Sequence, residues 1–480
     1  MNTLFNTWQK KYIGDRTFYM RVLALVIPMI LQNLVTNFVS LLDNIMVGQI
    51  GTEQMSGVSI VNQFIFIFNL TIFGAVSGPS IFGAQFYGKG DYEGQKYTFR
   101  FRLLLCSVIT LAGVLLFSLL DEPLISLYLA KDDAPEAIAA TLAYGKTYMR
   151  IMIWGLIPFG LGQAYSSVVR ECGETKVPMF GAMSAVGVNL ILDYGLIFGK
   201  LGLPKMGVAG AALATVIAKS IEAVVIICWT HRHPEKNRYI VGLFKGFGIP
   251  RHLVGDMVKK GTPLLINEFL WSIGMSVIAQ CYSVRGLDVV AARNIASTMT
   301  NLFSVIYIQL GACIAILVGA KLGAGKLEEA RDLDNKLLFF SVTSTMVIAV
   351  CMLPLARIFP QIYNTENRIR ALSTYFITIQ ALAMPLWSFT HCCYFTLRSG
   401  GKTGLTFLFD FVFTWVVMIP VAFVLSYFTK LNIHIIFAAV TFSELIKVII
   451  GYFMVRSDIW LNNIVSGHEH VAQQNANGTA

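Results

Sequence analysis

The sequence predicts an all-α polytopic membrane protein with twelve transmembrane helices arranged as two pseudo-symmetric six-helix bundles. Of the 480 residues, 55% are hydrophobic and only 13% are charged, whereas soluble proteins carry about 25% charged residues. Long apolar runs recur along the chain, and a bilayer core about 30 Å thick needs about 20 apolar residues per helix. The third observation is an internal repeat, described below. Short alternating segments, which a membrane β-barrel would require, are not the pattern of this chain.

Twelve apolar runs define the predicted spans. In the first half they are residues 21–47, 55–80, 100–120, 143–167, 177–199 and 206–229. In the second half they are residues 254–283, 290–320, 334–356, 370–395, 405–428 and 433–456. The predicted organisation has five parts: a cytoplasmic amino-terminal segment (1–20), an N-lobe (21–230), a polar cytoplasmic connector (231–253), a C-lobe (254–456) and a disordered cytoplasmic tail (457–480).

The distribution of basic residues predicts the orientation in the membrane. The amino-terminal segment, the loops after even-numbered spans and the carboxy terminus hold 24 of the 37 Lys and Arg residues, and the loops after odd-numbered spans hold 11. Because basic residues accumulate in cytoplasmic loops, both termini are expected in the cytoplasm. The net charge of +10 then reflects topology, and no nucleic-acid partner is predicted.

The two halves of the chain match each other. A shift of 235 residues aligns five pairs without a gap: Pro28 with Pro263, Gly51 with Gly286, Gly88 with Gly323, Gly90 with Gly325, and Glu93 with Glu328. Further along, "RECGET" at 170 and "RSGGKT" at 398 occupy equivalent loops. Six spans followed by six in the same orientation indicate a parallel repeat related by an axis along the membrane normal.

Acidic residues inside predicted spans are the main candidates for function. An ionised carboxylate at the bilayer centre costs about 2.5–3.5 kcal/mol, so it needs a partner, a cavity or a proton. Asn189 and Asp193 are four residues apart and share one face of span five, where Asp43 of span one and Thr215 of span six would join them. Such oxygens suit Na⁺, or a proton shared between two carboxylates. The alternative is that both acids serve packing alone.

Other charged residues divide into pairs and single acids. Lys219 with Glu222, and Glu444 with Lys447, have a spacing of three residues and are predicted to form structural ion pairs on one helix face. Asp410, early in span eleven, is either a cap, a water-facing acid or a functional group.

The predicted substrate cavity is lined by Gln32, Asn33, Glu268 and His391. Glu268 is the repeat equivalent of Asn33, so a pseudo-two-fold axis would place the two on opposite walls of a cleft. Two interpretations of Glu268 stay open, a cavity-facing functional group and a hydrogen-bonded packing acid. His391 is either functional or a buried packing histidine.

Ordered motifs make the chain resemble the multidrug and toxic compound extrusion (MATE) family. They are "DNIMVGQIG", "GAQFYGKGD", "RECGETKVPM", "NLILD" and "GAALAT" in the first half, then "VGAKLGAGKLEEA" and "LRSGGKT" in the second. The resemblance implies a V-shaped pair of six-helix bundles that exports drug-like compounds in exchange for H⁺ or Na⁺. It also implies that Asp43, Asn189, Asp193 and Thr215 form the cation site of the N-lobe. Family members with a C-lobe cation site carry a Glu in span seven, but span ten offers Glu268 no acidic partner.

The predicted function is a secondary active multidrug efflux antiporter that exports organic, often cationic and aromatic compounds in exchange for H⁺ or Na⁺. The alternative is a flippase for lipid-linked cell-envelope precursors. Neither an enzyme nor a structural metal is expected, and no cofactor beyond the coupling ion. The expected partners are small-molecule drugs or toxic metabolites and the lipid bilayer, with the protein acting as a monomer in the inner (cell) membrane. The glycine loops lack G-x-x-x-x-G-K-[ST] spacing, which argues against an ATP-driven pump.

Overall fold

The computed structural model describes residues 10–129, 134–246, 248–363 and 365–468, and the regular structure of these residues is entirely helical. Twelve of the helices are long and apolar enough to cross a membrane. In the first half they are α1 (Arg16–Gly48), α2 (Thr52–Lys89), α3 (Tyr92–Leu119), α4 (Pro135–Glu171), α5 (Lys176–Phe198) and α6 (Val208–Arg232). In the second half they are α7 (Arg251–Ser283), α8 (Leu287–Gly323), α9 (Leu327–Ile358), α10 (Asn367–Ser399), α11 (Thr403–Phe428) and α12 (Ile433–Arg456).

Several helices extend beyond the apolar runs that predicted them. The run at 143–167 lies inside α4, which begins at Pro135 and ends at Glu171. Hydropathy detects only the part of a helix that faces hydrocarbon, so polar turns at the ends are missed. A π-helical segment, Phe413–Met418, interrupts α11, and the short helix Asp121–Ser126 precedes α4; neither was predicted.

The described residues divide into two compact units. The amino-terminal unit comprises Ile27–Gly83 and Tyr92–Gly255, and the carboxy-terminal unit comprises the described residues of Met1–Val26, Ala84–Asp91 and Asp256–Ala480. Each has its own apolar core, built in the first around residues such as Phe99, Met149 and Val168 and in the second around Phe376, Met384 and Phe437. The unit boundaries differ from the predicted lobes, because the end of α2 lies in the carboxy-terminal unit and the connector lies in the amino-terminal unit.

In the amino-terminal unit, α4 packs against α3 and α6, and α5 packs against α6. The connector after α6 is held to this unit. Arg100 of α3 donates from Nε to the carbonyl oxygen of Leu243 at 2.8 Å, and Tyr239, 1% exposed, packs edge-on against Phe99. A hydrogen bond from Lys236 to Glu174 raises the pKa of the lysine above its ordinary value. The polar connector is therefore a folded part of the unit.

In the carboxy-terminal unit, α8, α9 and α12 pack against α10. Residues 457–468, which were predicted as part of a disordered tail, are packed against this unit. Trp460 is 1% exposed, and the Ile464 backbone N–H donates to the Gln85 side-chain oxygen at 2.9 Å. The apolar side chains of Trp460 and Val465 explain this packing, since both are buried. The rest of the predicted tail, 469–480, lies outside the described residues.

The ends of α2 and α8 cross at a reciprocal contact within the carboxy-terminal unit. A methyl group at Gly88 would collide with the backbone carbonyl of Ala320, and a methyl group at Gly323 would collide with the backbone carbonyl of Gln85. The repeat shift of 235 residues pairs Gly88 with Gly323 and Gln85 with Ala320. The two copies thus make the same contact in both directions, and glycine is required in each because the opposing group is backbone.

Candidate cation site

Two acids from α1 and α5 meet in the amino-terminal unit. The carboxyl groups of Asp43 and Asp193 lie within hydrogen-bonding reach of each other. Asn189 lies one helical turn before Asp193 on α5, and its side chain also interacts with the Asp193 carboxyl. Asn189 is 3% exposed and Asp193 is 1% exposed, so these groups exchange little with solvent. Three of the four residues predicted for the cation site are therefore neighbours.

Four oxygens of this cluster receive no hydrogen bond from the described part of the chain. Among the described residues, none donates with hydrogen-bond geometry to either buried oxygen of Asp193, to Oδ1 of Asp43 or to Oδ1 of Asn189. Buried polar atoms in proteins are normally satisfied, and unsatisfied ones require an explanation. Two adjacent buried carboxylates also repel each other when both are ionised. A bound proton or Na⁺ would remove both costs, and carboxylate and amide oxygens are suitable ligands for such hard cations.

Thr215, the fourth residue predicted for the cation site, makes a hydrogen bond along its own helix. Its hydroxyl donates to the carbonyl oxygen of Ala211, one turn earlier on α6, at 3.0 Å. A hydroxyl that donates along its own helix still has oxygen lone pairs for a cation. The role of Thr215 as a fourth ligand stays a prediction.

Three polar residues that sequence reasoning did not connect with the acids lie around them. The Tyr148 hydroxyl donates to Asn62 Oδ1 at 3.3 Å and lies close enough to both acids to interact electrostatically. Lys219 of α6 forms the predicted pair with Glu222, at 3.0 Å, and its charge also reaches Asp43. No sequence spacing links Asn62, Tyr148 and Lys219, because they come from three different helices.

The two predicted cavity residues on α1 already have hydrogen bonds. Gln32, 7% exposed, accepts through Oε1 from Arg170 Nη2 at 2.9 Å. Asn33 donates from Nδ2 to the carbonyl oxygen of Met29 at 2.9 Å. Arg170 belongs to the "RECGET" motif, so this contact fixes α1 against the end of α4.

The other two predicted cavity residues lie in the carboxy-terminal unit. Glu268 of α7 accepts from the Tyr394 hydroxyl at 3.4 Å. The ring of His391 packs against the rings of Tyr307, Tyr394 and Phe395, and its Nε2 has no hydrogen-bond partner among the described residues. Both interpretations of Glu268, functional and packing, are compatible with these contacts.

An ion-pair network in the carboxy-terminal unit differs from its predicted form. Lys447 lies 3.9 Å from Glu444, its predicted partner, but only 2.6 Å from Asp410 of α11. Asn267 of α7 donates to the other Asp410 oxygen at 2.9 Å, and Thr390 of α10 donates to Glu444 at 2.7 Å. The prediction of a pair within α12 missed the shorter bond because helical spacing cannot detect a partner on another helix.

No group of three or more His, Cys, Asp and Glu residues suited to a metal ion occurs within the described ranges. The candidate cation site is of another kind, since it contains two carboxylates and an amide.

The fold and its internal repeat define an integral, multi-pass membrane protein. The model of the MatE family matches residues 28–195 and 263–424, more than half of the chain, and the chain belongs to this family. The predicted family and the predicted all-helical fold are confirmed.

Similar proteins have similar lengths. The chain is 25% identical over 425 residues to the probable multidrug resistance protein NorM of Thermotoga maritima, covering 86% of each chain. It is 26% identical over 410 residues to the multidrug resistance protein PmpM of Pseudomonas aeruginosa, covering 84% of this chain and 83% of that protein.

Solved structures support the same fold. A multidrug resistance MATE family transporter of the MOP superfamily, solved in an outward-facing conformation, superposes with a TM-score of 0.81 at 18% identity, covering 94% of this chain and 97% of that one. A MOP superfamily transporter from Pyrococcus furiosus, described as having a binding pocket of reverse polarity, superposes with a TM-score of 0.79 at 19% identity and with the same coverage.

Proposed function

We propose that this protein is a secondary active multidrug efflux antiporter that exports organic, often cationic and aromatic compounds in exchange for H⁺ or Na⁺. Family membership and the names of the relatives, NorM and PmpM, support the transport of drug-like compounds. The observation that carries the coupling is the cluster of Asp43, Asn189 and Asp193, where four oxygens receive no hydrogen bond from any described residue. A bound cation would remove the repulsion between the two carboxylates and the cost of their unpaired oxygens, so its occupancy can differ between transport states.

The energetic requirement on such a site is modest. A cation changes a two-state equilibrium only by the difference in its affinity for the two states. A tenfold difference in affinity corresponds to about 1.4 kcal/mol and changes the population ratio about tenfold. Neutralising one of two adjacent buried carboxylates is a change of at least this size. Asp43 and Asp193 would then respond as one unit to the arrival and departure of the ion.

The orientation belongs to the same proposal. Both termini would face the cytoplasm of a cell whose inner membrane holds the protein, because basic residues are concentrated in the amino-terminal segment, the loops after even-numbered helices and the carboxy terminus. The protein would act as a monomer, with no cofactor beyond the coupling ion. A single cysteine placed at Leu201, in the loop between α5 and α6, should react with a membrane-impermeant maleimide applied from outside. Reaction only from the cytoplasmic side would reverse the orientation.

The test of coupling is efflux driven by an ion gradient in proteoliposomes. Asp43→Asn preserves volume and removes the titratable charge, so the variant should insert and fold but lose gradient-driven export. Asp193→Asn should behave in the same way. The double variant should be little worse than either single one, since residues of one site are not additive.

A matched control comes from the same unit. Glu122 is exposed and paired with Lys146 at 2.7 Å, and Glu122→Gln should retain wild-type efflux. Gradient-driven efflux at the wild-type rate from Asp43→Asn, at equal reconstitution, would refute the assignment. Separate trials with Na⁺ and pH gradients would identify the coupling ion.

A further inference from the structure

The two halves of the chain each place one lysine inside the membrane at equivalent positions. A shift of 228 residues aligns the "RECGET" and "RSGGKT" loops, pairing Thr175 with Thr403, and the same shift pairs Lys219 with Lys447. The packing supports this register. In the first half, Gly181 of α5 lies against the Glu222 backbone of α6. The same shift pairs Gly181 with Phe409 of α11 and Glu222 with Ile450 of α12. Phe409 lies against Gly451, one position from Ile450.

The equivalent lysines have different partners. Lys219 is 3.0 Å from Glu222 on its own helix and leaves the oxygens of Asp193 without a donor. Lys447 instead crosses to another helix, with its ammonium nitrogen 2.6 Å from Asp410 Oδ1. That nitrogen also lies 5.2 Å and 5.4 Å from the ring centres of Phe409 and Phe413, where aromatic faces attract a cation.

Asp410 is consequently saturated by the protein itself. One oxygen accepts from Lys447 and the other from Asn267 at 2.9 Å. The side chains of Lys447 and Asp410 are only 12% and 14% exposed, so water competes little for this pair. Breaking such a buried pair is costly because each partner would be left charged and desolvated. An ion from solution would have to displace Lys447 to bind Asp410.

We infer that Lys447 is the tethered cation of the carboxy-terminal unit, held permanently against Asp410 so that this acid binds no exchangeable ion. The inference rests on the proposed function, because it separates Asp410 from the two acids, Asp43 and Asp193, that are proposed to exchange an ion. It assigns Lys447 a positioning role, which keeps Asp410 out of ion exchange.

The test uses a membrane-permeant carbodiimide on the full-length protein in detergent, with modified peptides read by mass spectrometry. The reagent reacts with a protonated carboxyl group. The carboxyl oxygen adds to the carbodiimide carbon, the proton moves to nitrogen, and the adduct rearranges to a stable N-acylurea without a leaving group. In the wild type, Asp193 should be modified and Asp410 should not.

Variants at the lysine give the decisive comparison. Lys447→Met should make Asp410 reactive, raising its modified fraction at least tenfold over wild type, and Na⁺ should suppress this reaction if the acid becomes an ion site. Lys447→Arg keeps the positive charge and should leave Asp410 unmodified. Lys219→Met, at the equivalent position, should not change Asp410.

Two outcomes would overturn the inference. One is that Asp410 is modified as readily as Asp193 in the wild type. This measurement does not depend on whether any variant folds. The other is an unmodified Asp410 in Lys447→Met that elutes as a monodisperse protein. Absence of modification at Asp193 would count against the proposed cation site alone, because Asp410 is read from a separate peptide.

Discussion

In the amino-terminal unit, Asp43 and Asp193 face each other with oxygens that no described residue satisfies, whereas in the carboxy-terminal unit Asp410 is satisfied by Asn267 and Lys447. Both arrangements place carboxylates inside the membrane, where an isolated charge is costly. In the amino-terminal unit an exchangeable ion would offset the cost of the charged carboxylates. In the carboxy-terminal unit the protein's own Lys447 and Asn267 offset it. Intramembrane acids in one chain can therefore serve opposite purposes, and the donors around them distinguish the two.

The largest difference in the free energy of unfolding is expected between Lys447→Met in the carboxy-terminal unit and Asp43→Asn in the amino-terminal unit. Lys447→Met leaves Asp410 without its ammonium partner and should cost about 3–5 kcal/mol in the free energy of unfolding. Asp43→Asn removes repulsion between adjacent carboxyl groups and should leave stability equal or higher. Unfolding by SDS titration in mixed micelles measures both. Equal destabilisation by the two substitutions would remove the distinction between the units.

A smaller effect is expected where the two halves are alike, at the crossing of α2 and α8. Gly88→Ala and Gly323→Ala each force a methyl group against a backbone carbonyl, and each should cost about 3 kcal/mol, near the upper end for overpacked sites. Gly255→Ala is the control, because nothing lies within 4 Å of its new methyl group. A large cost at only one of the two glycines would show that the contact is not reciprocal.

The smallest effect compares two threonines. Thr390→Val removes a donor from the buried Glu444 and should cost about 1.5 kcal/mol, the lower value for hydrogen bonds to charged groups. Thr215→Val removes only a bond along its own helix and should cost about 0.5 kcal/mol. The same SDS titration resolves the pair. If Thr215→Val instead abolishes Na⁺-dependent efflux while stability holds, Thr215 is a ligand of the ion.

The sequence was sufficient for the features that depend on local pattern. Apolar runs located all twelve membrane helices, and the spacing of Asn189 and Asp193 put both on one face of α5. The Lys219–Glu222 pair also followed from helical spacing. These patterns depend on residues a few positions apart, so they can be recognised without a structure.

Contacts between distant parts of the chain could not be predicted. The bond between Lys447 and Asp410 joins two helices, and a spacing rule pointed to Glu444 instead. Tyr148 and Asn62 lie near the acids only because α2 and α4 fold around them. One available signal was overlooked. The shift that aligns the "RECGET" and "RSGGKT" loops also aligns the two membrane lysines, and this repeat marks Lys447 as more than a partner for its own helix.

The crossing at Gly88 and Gly323 limits how the two halves of the chain can differ in length. Gly88 lies against Ala320, and Gly323 lies against Gln85 in the same way. A two-fold dimer makes contacts of this reciprocal, isologous form. An insertion within one of the two helices alone would shift its glycine away from the backbone carbonyl that it must pass. The contact therefore holds the two halves to one register at this crossing.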